Sequence, residues 1–176
     1  MSDVSLREAV LADAERVAAI YAPYVHETAV SFEETAPDAA EFARRIERSI
    51  TGWQWLVAEL DGRVIGYAYG SQHRDRAAYR WSVEVSVYLA SGFQRRGIGR
   101  TLYTRLLADL AAKGFCHAFA GTTLPNEASV QLHTAMGFAP IGVFREIGWK
   151  FGRWHDVAWF QKTLREGPPR DQPASQ

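Results

Sequence analysis

A mixed α/β fold, in which a mostly antiparallel sheet with one parallel strand pair is flanked by helices, is what this sequence predicts, and three observations predict it. Over Ser82–Leu89, Val83, Val85, Val87 and Leu89 alternate with Ser82, Glu84, Ser86 and Tyr88, the period of a strand with one apolar face. The chain then passes through a short loop into a segment with Leu102, Leu106 and Leu110 on one helical stripe, ending at Lys113-Gly114. A further strand and helix follow, and strand–helix–strand order requires a crossover joining a parallel pair. With 176 residues, the chain is long enough to bury a core as one domain without disulfides or a structural metal.

The remaining elements follow from local chemistry. A short strand is expected at Val4–Arg7. Asp13 is placed to cap a helix whose apolar positions Val17, Ile20, Tyr21 and Tyr24 share a face. A second helix is expected from Pro37, a favoured first-turn residue, with Phe42 and Ile46 on one side. Trp55–Leu60 and Val64–Tyr69 flank Asp61-Gly62-Arg63 and read as a hairpin. Phe119–Leu124 is the next strand, and Asn126 caps a helix closing at Met136 before Gly137. Ile141–Ile147 and His155–Leu164 complete the sheet. Residues 1–166 make the domain; residues 167–176 are polar and proline-rich, a composition that predicts a disordered tail.

Composition excludes some functions. The 20 basic and 20 acidic residues cancel, so no global field draws nucleic acid or an anionic membrane, and an anion site must be local. Cys116 is the single cysteine, which rules out an intrachain disulfide and reads as a small buried hydrophobe. No signal segment or membrane-length apolar run is visible, so a cytoplasmic protein is expected.

The local anion site is Gln94-Arg95-Arg96-Gly97-Ile98-Gly99, followed by Arg100, at a strand-to-helix junction. There the first helical N–H groups lack internal partners, the dipole favours an anion, and glycine admits a phosphate to the backbone. The spacing fits neither the Walker nor the dinucleotide pattern. It resembles the Q/R-x-x-G-x-G/A motif of the GNAT acetyltransferase superfamily, and Asn126-Glu-Ala-Ser129 with Leu132-His133 and Gly137-Phe138 resembles that superfamily's next helix. Trp81-Ser-Val-Glu84-Val-Ser-Val-Tyr88, Leu132-His133 and Lys150-Phe-Gly-Arg-Trp154-His155-Asp156 narrow the likeness to the phosphinothricin and methionine sulfoximine acetyltransferases. It runs from about Val4 to Leu164.

The resemblance implies acetyl-CoA as co-substrate, no metal, a small amino-acid-like acceptor and a homodimer, for which Trp149, Trp154, Trp159 and Phe160 are candidate interface aromatics. The pyrophosphate falls to residues 94–100, and the pantetheine arm to the backbone of Val87, Tyr88 and Leu89. Asn126 contacts the cofactor or substrate, or simply caps the helix, and Ser129, one turn on, is a weaker candidate for the cofactor. Transfer to an amine needs a base, and Glu84 on the polar strand face is the candidate; a salt bridge to Arg80 or a solvent-facing edge is its other reading. His133 relays a proton or fills space under the cofactor. Tyr88 protonates the thiolate or belongs to the core. Arg74 and Arg76, in the loop before Glu84, are candidate clamps for the acceptor's acid groups or simply solvated charges. Phe32 and Tyr79 are candidates for its apolar wall or for ordinary core, and Val85 and Ser86 flank the base. Two competing functions remain: acetylation of a protein N-terminus or other amine, and a non-catalytic CoA-binding module with no use for Glu84.

Overall fold

The chain runs through β1 (Ser5–Glu8), α1 (Ala14–His26), α2 (Ala39–Gly52), β2 (Trp55–Leu60), β3 (Arg63–Gln72), β4 (Ser82–Leu89), α3 (Ile98–Ala112), β5 (His117–Thr123), α4 (Glu127–Ala135), β6 (Ala139–Lys150) and β7 (Arg153–Thr163). Single 3-10 turns stand at Leu11–Asp13 and Ala77–Tyr79. This computed structural model describes residues 4–167 and 169, so the tail expected over 167–176 lies almost wholly outside the described residues. The strands form one sheet in the order β1-β2-β3-β4-β5-β7-β6. Every neighbouring pair is antiparallel except β4 and β5, which α3 connects. The expected fold class is therefore the observed one.

Period-2 alternation in β4 sorts its side chains between two cores. Val83 and Val85 join Leu102, Leu106 and Leu110 of α3 with Phe138 and Phe160 on one face. Tyr88 packs with Val17, Ile20, Tyr21, Phe42, Ile46, Trp55 and Tyr67 on the face covered by α1 and α2. Fully burying a leucine or phenylalanine side chain is worth about 1.5–3 kcal/mol, so both faces contribute substantially to stability. Cys116 is buried, as its apolar setting predicts.

Local chemistry departs from expectation at several element ends. Pro37 precedes the start of α2 rather than opening it; Asp38 is the cap, its Oδ1 accepting the Glu41 N–H at 2.8 Å. The β6–β7 hairpin extends to Lys150 and Arg153, beyond the expected strand ends, because Phe151 and Gly152 turn the chain in two residues at φ 50° and 71°. A positive φ at phenylalanine carries no sequence signal. Phe160 is core rather than a surface aromatic, and Trp159 is partly buried, whereas Trp149 and Trp154 are exposed.

Lys150 fastens this hairpin to the segment between α1 and α2: its buried Nζ donates to the carbonyls of Val25 at 2.6 Å and Ser31 at 2.7 Å. Beside it, Phe32 occupies the space a side chain at Gly148 would need, since a Cβ there would lie 2.2 Å from the phenyl ring. Glycine is required at that point by close approach rather than by a turn.

Asp13 precedes α1 without accepting a helix N–H. The 3-10 turn directs its carboxylate back toward β1. There Arg7 grips it through two nitrogens at 2.7 and 2.8 Å, and Val10 N–H donates at 2.9 Å. A bidentate guanidinium is a stronger partner than one amide. Burial by itself raises the Asp13 pKa, but Arg7 and Val10 more than offset it, and the net shift is downward. Asp13→Asn is expected to cost about 1–3 kcal/mol at neutral pH. A carboxyl depressed in the folded state stabilises fully above its unfolded value of about 4 and loses that contribution as pH falls through the folded value. The melting-temperature gap between wild type and Asp13→Asn should thus narrow on acidification, and a gap of constant width from pH 7 to pH 3 would contradict this account.

Candidate active site

β4 and β5 pair over only Ser82↔His117, Val83↔Ala118 and Glu84↔Phe119. Beyond that point β5 continues along β7 to Thr123, while β4 continues along β3 to Leu89, and the two diverge. The wedge between them is a cleft lined by Val85–Tyr88 of β4, Gly121–Thr123 of β5, Asn126, Ser129 and His133 around α4, Tyr103 of α3, and Val30. Strand geometry decides which backbone groups face it. Ala90 N–H donates to Ile65 on β3, so alternate residues Tyr88 and Ser86 also turn their peptide groups toward β3, and Val85, Val87 and Leu89 turn theirs to the cleft.

Those three edge residues are not equivalent. The Tyr24 hydroxyl donates to Leu89 C=O at 2.7 Å and accepts its N–H at 3.3 Å. The Tyr103 hydroxyl lies 3.4 Å from Val85 C=O. Val87 keeps both N–H and C=O facing the cleft with no partner among the described residues. Of Val87, Tyr88 and Leu89, expected to offer their backbone groups, the structure turns those of Tyr88 toward β3 and pairs both groups of Leu89 with Tyr24.

α4 supplies the cleft's far wall. Asn126 is a helix cap, its Oδ1 accepting Ser129 N–H at 3.1 Å, and it also lines the cleft. The Ser129 hydroxyl shares a hydrogen bond with Thr122 at 2.9 Å. His133 is buried, stacked on Phe160 with ring centroids 5.4 Å apart. Its Nδ1–H donates to Ser129 C=O at 2.8 Å, which leaves Nε2 to accept from the Tyr103 hydroxyl at 3.2 Å. Burial lowers the His133 pKa against the raising effect of the Ser129 carbonyl, so the ring is held neutral. Tyr103 escaped the sequence reading because it lies on the buried stripe of α3, where an aromatic signals packing.

At the vertex of the wedge stands Glu84, on the opposite face of β4. Its partner is not Arg80, which lies over Trp81 at 4.1 Å, but His73, whose Nδ1–H donates to Oε1 at 3.0 Å. Burial raises the Glu84 pKa; the His73 hydrogen bond and the charges of His73 and Arg74 pull the other way, and the net shift is upward. Arg74 is thus near the carboxylate, and Arg76 stands where the 3-10 turn begins; both side chains are exposed. Tyr79 is 43 % exposed and turned toward His73 rather than buried. Phe32 is docked on Gly148 of β6. Tyr88 belongs to the aromatic core, its ring 4.9 Å from Tyr21 and 5.4 Å from Tyr67.

The loop 94–100 lies at the cleft's outer end. Gln94 Oε1 accepts Gly92 N–H at 3.0 Å, Arg95 adopts φ 60°, and Arg96 lies over Phe93 at 5.2 Å. Gly97 sits at φ 80° directly before α3, with open space where a Cβ would project. Arg95, Arg96 and Arg100 are exposed around the helix start, whereas Ile98 and Gly99 are buried, Gly99 beside Leu132, Leu89 and Val87.

A split central sheet, with a helix N-terminus ringed by exposed arginines at one end and a carboxylate at the other, makes up the candidate site. The chain belongs to the GNAT acetyltransferase family, whose acetyltransferase domain matches residues 6–159. It is 40 % identical over 168 residues to the phosphinothricin N-acetyltransferase of Streptomyces viridochromogenes, covering 95 % of this chain and 92 % of that one. It is 34 % identical to the L-methionine sulfoximine/L-methionine sulfone acetyltransferase of Salmonella typhimurium, over 93 % of this chain and 96 % of the other. The crystal structure of a phosphinothricin acetyltransferase from Sinorhizobium meliloti in complex with acetyl-CoA superposes with a TM-score of 0.91 at 38 % identity, covering 96 % and 94 % of the two chains.

The neutral state of His133 has a measurable consequence. A histidine whose pKa is lowered by folding loses its stabilising contribution as pH falls below the ordinary imidazole value of about 6.5, because the unfolded chain gains a proton that the folded one refuses. His133→Gln should therefore show a shallower fall in melting temperature from pH 7 to pH 5 than wild type. Parallel curves would mean that the ring accepts its proton in place.

Proposed function

We propose that this protein transfers the acetyl group of acetyl-CoA to the amino group of a small amino-acid-like acceptor such as phosphinothricin, methionine sulfoximine or methionine sulfone, by direct attack with Glu84 as general base. The observation that carries the reading is the half-buried Glu84 carboxylate at the vertex of a cleft whose far end is a helix N-terminus ringed by Arg95, Arg96 and Arg100. Acetyl-CoA supplies an acyl group activated as a thioester. The chain's residues suit it: the unpartnered Val87 N–H and C=O match the amides of a pantetheine arm, and the α3 N-terminus at Gly97 and Gly99, with Gln94 and Ile98 in the same loop, matches a diphosphate. Asn126 and Ser129 border the arm's path.

Within that frame Glu84 removes the proton from the acceptor's ammonium, a task helped by the raised pKa that burial gives it. The Val87 N–H is a donor for charge developing on the attacked carbonyl oxygen. The departing sulfur needs a proton, and Tyr103, lining the cleft beside neutral His133, is better placed than Tyr88, which the tyrosines of α1 and β3 enclose. Ser86 and Val85 flank the base. Arg74 is the nearer of the two loop arginines to Glu84 and suits an acid group of the acceptor, with Tyr79 at the same rim. Arg76 and Phe32 then stand further out. The exposed Ile141, Phe144, Ile147, Trp149 and Trp154 of the β6–β7 hairpin suit the interface of a homodimer.

An acceptor screen at fixed acetyl-CoA, reading free thiol release, tests the substrate class, with a peptide amine as the competing arm. Glu84→Gln keeps the shape and removes the basicity, so kcat should fall by ~10²–10⁴ while acetyl-CoA affinity survives. Wild-type turnover by that variant at neutral pH would remove Glu84 from the chemistry. Arg74→Ala should raise the acceptor's KM about tenfold or more at unchanged acetyl-CoA affinity, the effect of losing one charged contact made only to the acceptor. An unaltered acceptor KM would return Arg74 to the solvated surface.

A further inference from the structure

His73 lies outside every motif the sequence displays, yet its ring is held more firmly than that of any solvent-facing loop residue needs to be. Only 11 % of the side chain is exposed. The imidazole lies flat on Phe119 of β5, with centroids 4.3 Å apart and planes 10° apart. Tyr79 meets it edge-on at 5.9 Å, and Trp159 of β7 does so at 6.4 Å. Phe119 is also the β5 residue that pairs with Glu84, in the last pair before the wedge opens. The stack therefore ties the ring to the residue that marks the vertex. So held, the ring's Nδ1–H meets Glu84 Oε1 at 3.0 Å.

We propose that His73 is a positioning residue for the general base: its clamped Nδ1–H fixes the Glu84 carboxylate through Oε1 and so presents Oε2 to the acceptor's ammonium. This rests on the reading of Glu84 as base. One-third of the Glu84 side chain is exposed, which leaves an unheld carboxylate free to rotate toward water. A donor fixed by three aromatic rings removes that freedom without itself needing to move. The bond also favours the charged carboxylate, the form that accepts a proton. The charged and titratable groups facing the pair are few: Arg74 from the same loop, Tyr69 from β3 and Tyr79 from the 3-10 turn. Phe119 and Trp159, from the other packed strands, do not titrate.

The test compares His73→Phe, which keeps the stack on Phe119 and loses the N–H, with His73→Asn, which keeps a donor near Nδ1. His73→Phe should lower kcat about tenfold near neutral pH, the scale of one charge-assisted hydrogen bond. The acidic limb of kcat/KM should move to higher pH, because removing a donor to the ionised form raises the Glu84 pKa, while the melting temperature and the KM for acetyl-CoA stay near wild type. His73→Asn should restore most of kcat and return the limb toward its original position. In a Glu84→Gln background, His73→Phe should add no further loss. A His73→Phe enzyme whose acidic limb stays in place overturns the proposal, whether kcat is normal or falls together with the melting temperature. If that variant does not fold, His73→Leu is read on the same profile by the same criterion. Full activity in Glu84→Gln alone would instead overturn the base assignment, so the two failures are distinguishable.

Discussion

Three parallel residue pairs join β4 to β5, and the site exists because there are only three. An open wedge in the middle of a sheet exposes backbone N–H and C=O groups that must find partners or water. This chain covers part of that demand with a phenol: Tyr24 from α1 takes both groups of Leu89, whereas Tyr103 from α3, whose proton goes to His133, only lies 3.4 Å from the carbonyl of Val85. Val87 is left between them. The same wedge that weakens the sheet thus leaves on β4 one residue whose N–H and C=O both face the cleft, the kind of edge that an extended amide-bearing ligand can complete in the manner of an added strand.

Strand alternation then separates the ionisable groups. Glu84 projects on the α1/α2 face, whereas Val85 and Val87 pack toward α3 and the neutral His133. The carboxylate and the Tyr103–His133 pair consequently lie on opposite faces of β4 with the free edge between them. The proposed base and the proposed proton donor need opposite electrostatic settings, one able to carry charge and one kept neutral. The two settings differ physically here: Glu84 keeps partial solvent contact and a charge-favouring donor, while His133 is enclosed between Phe160 and Phe138.

How much of this the sequence revealed follows the range of the interactions. Local signals were readable: the alternation of Ser82–Leu89, the glycines and arginines of residues 94–100, Asn126 as a cap, and Glu84 as a carboxylate on a half-covered strand face. What depended on distant packing was not. His73 gains its meaning from Phe119 and Trp159, which are far away in sequence, and Tyr103 from His133 one helix later. Phe32 reads as a pocket wall but is captured by the bare backbone of Gly148, a contact no short-range pattern encodes. Asp13 has the right residue type and position for a cap, yet the nearby Arg7 outbids the helix amides. The fold class was legible in full because it rests on periodicity and element order, whereas the β4 residue whose free N–H and C=O face the cleft could be identified only after the register of β3 against β4 was known.

Lys150 shows how far such a long-range contact reaches. Burial lowers its pKa against the opposing charges of Glu34 and Glu33, and its ammonium donates to two carbonyls at 2.6 and 2.7 Å, so dipoles in direct contact help to compensate the buried cation. Both carbonyls belong to the end of α1 and the segment after it, where Val30 lines the cleft and Phe32 rests on Gly148. The segment that closes one side of the cleft is therefore anchored to β6, an edge strand that exposes Ile141, Phe144, Ile147 and Trp149 along its length. An edge strand with so much apolar surface is seldom left bare. A second copy seated there would rest on the strand that carries Lys150 and Gly148, so association would be transmitted to the cleft wall through an ammonium and a phenyl ring already in place.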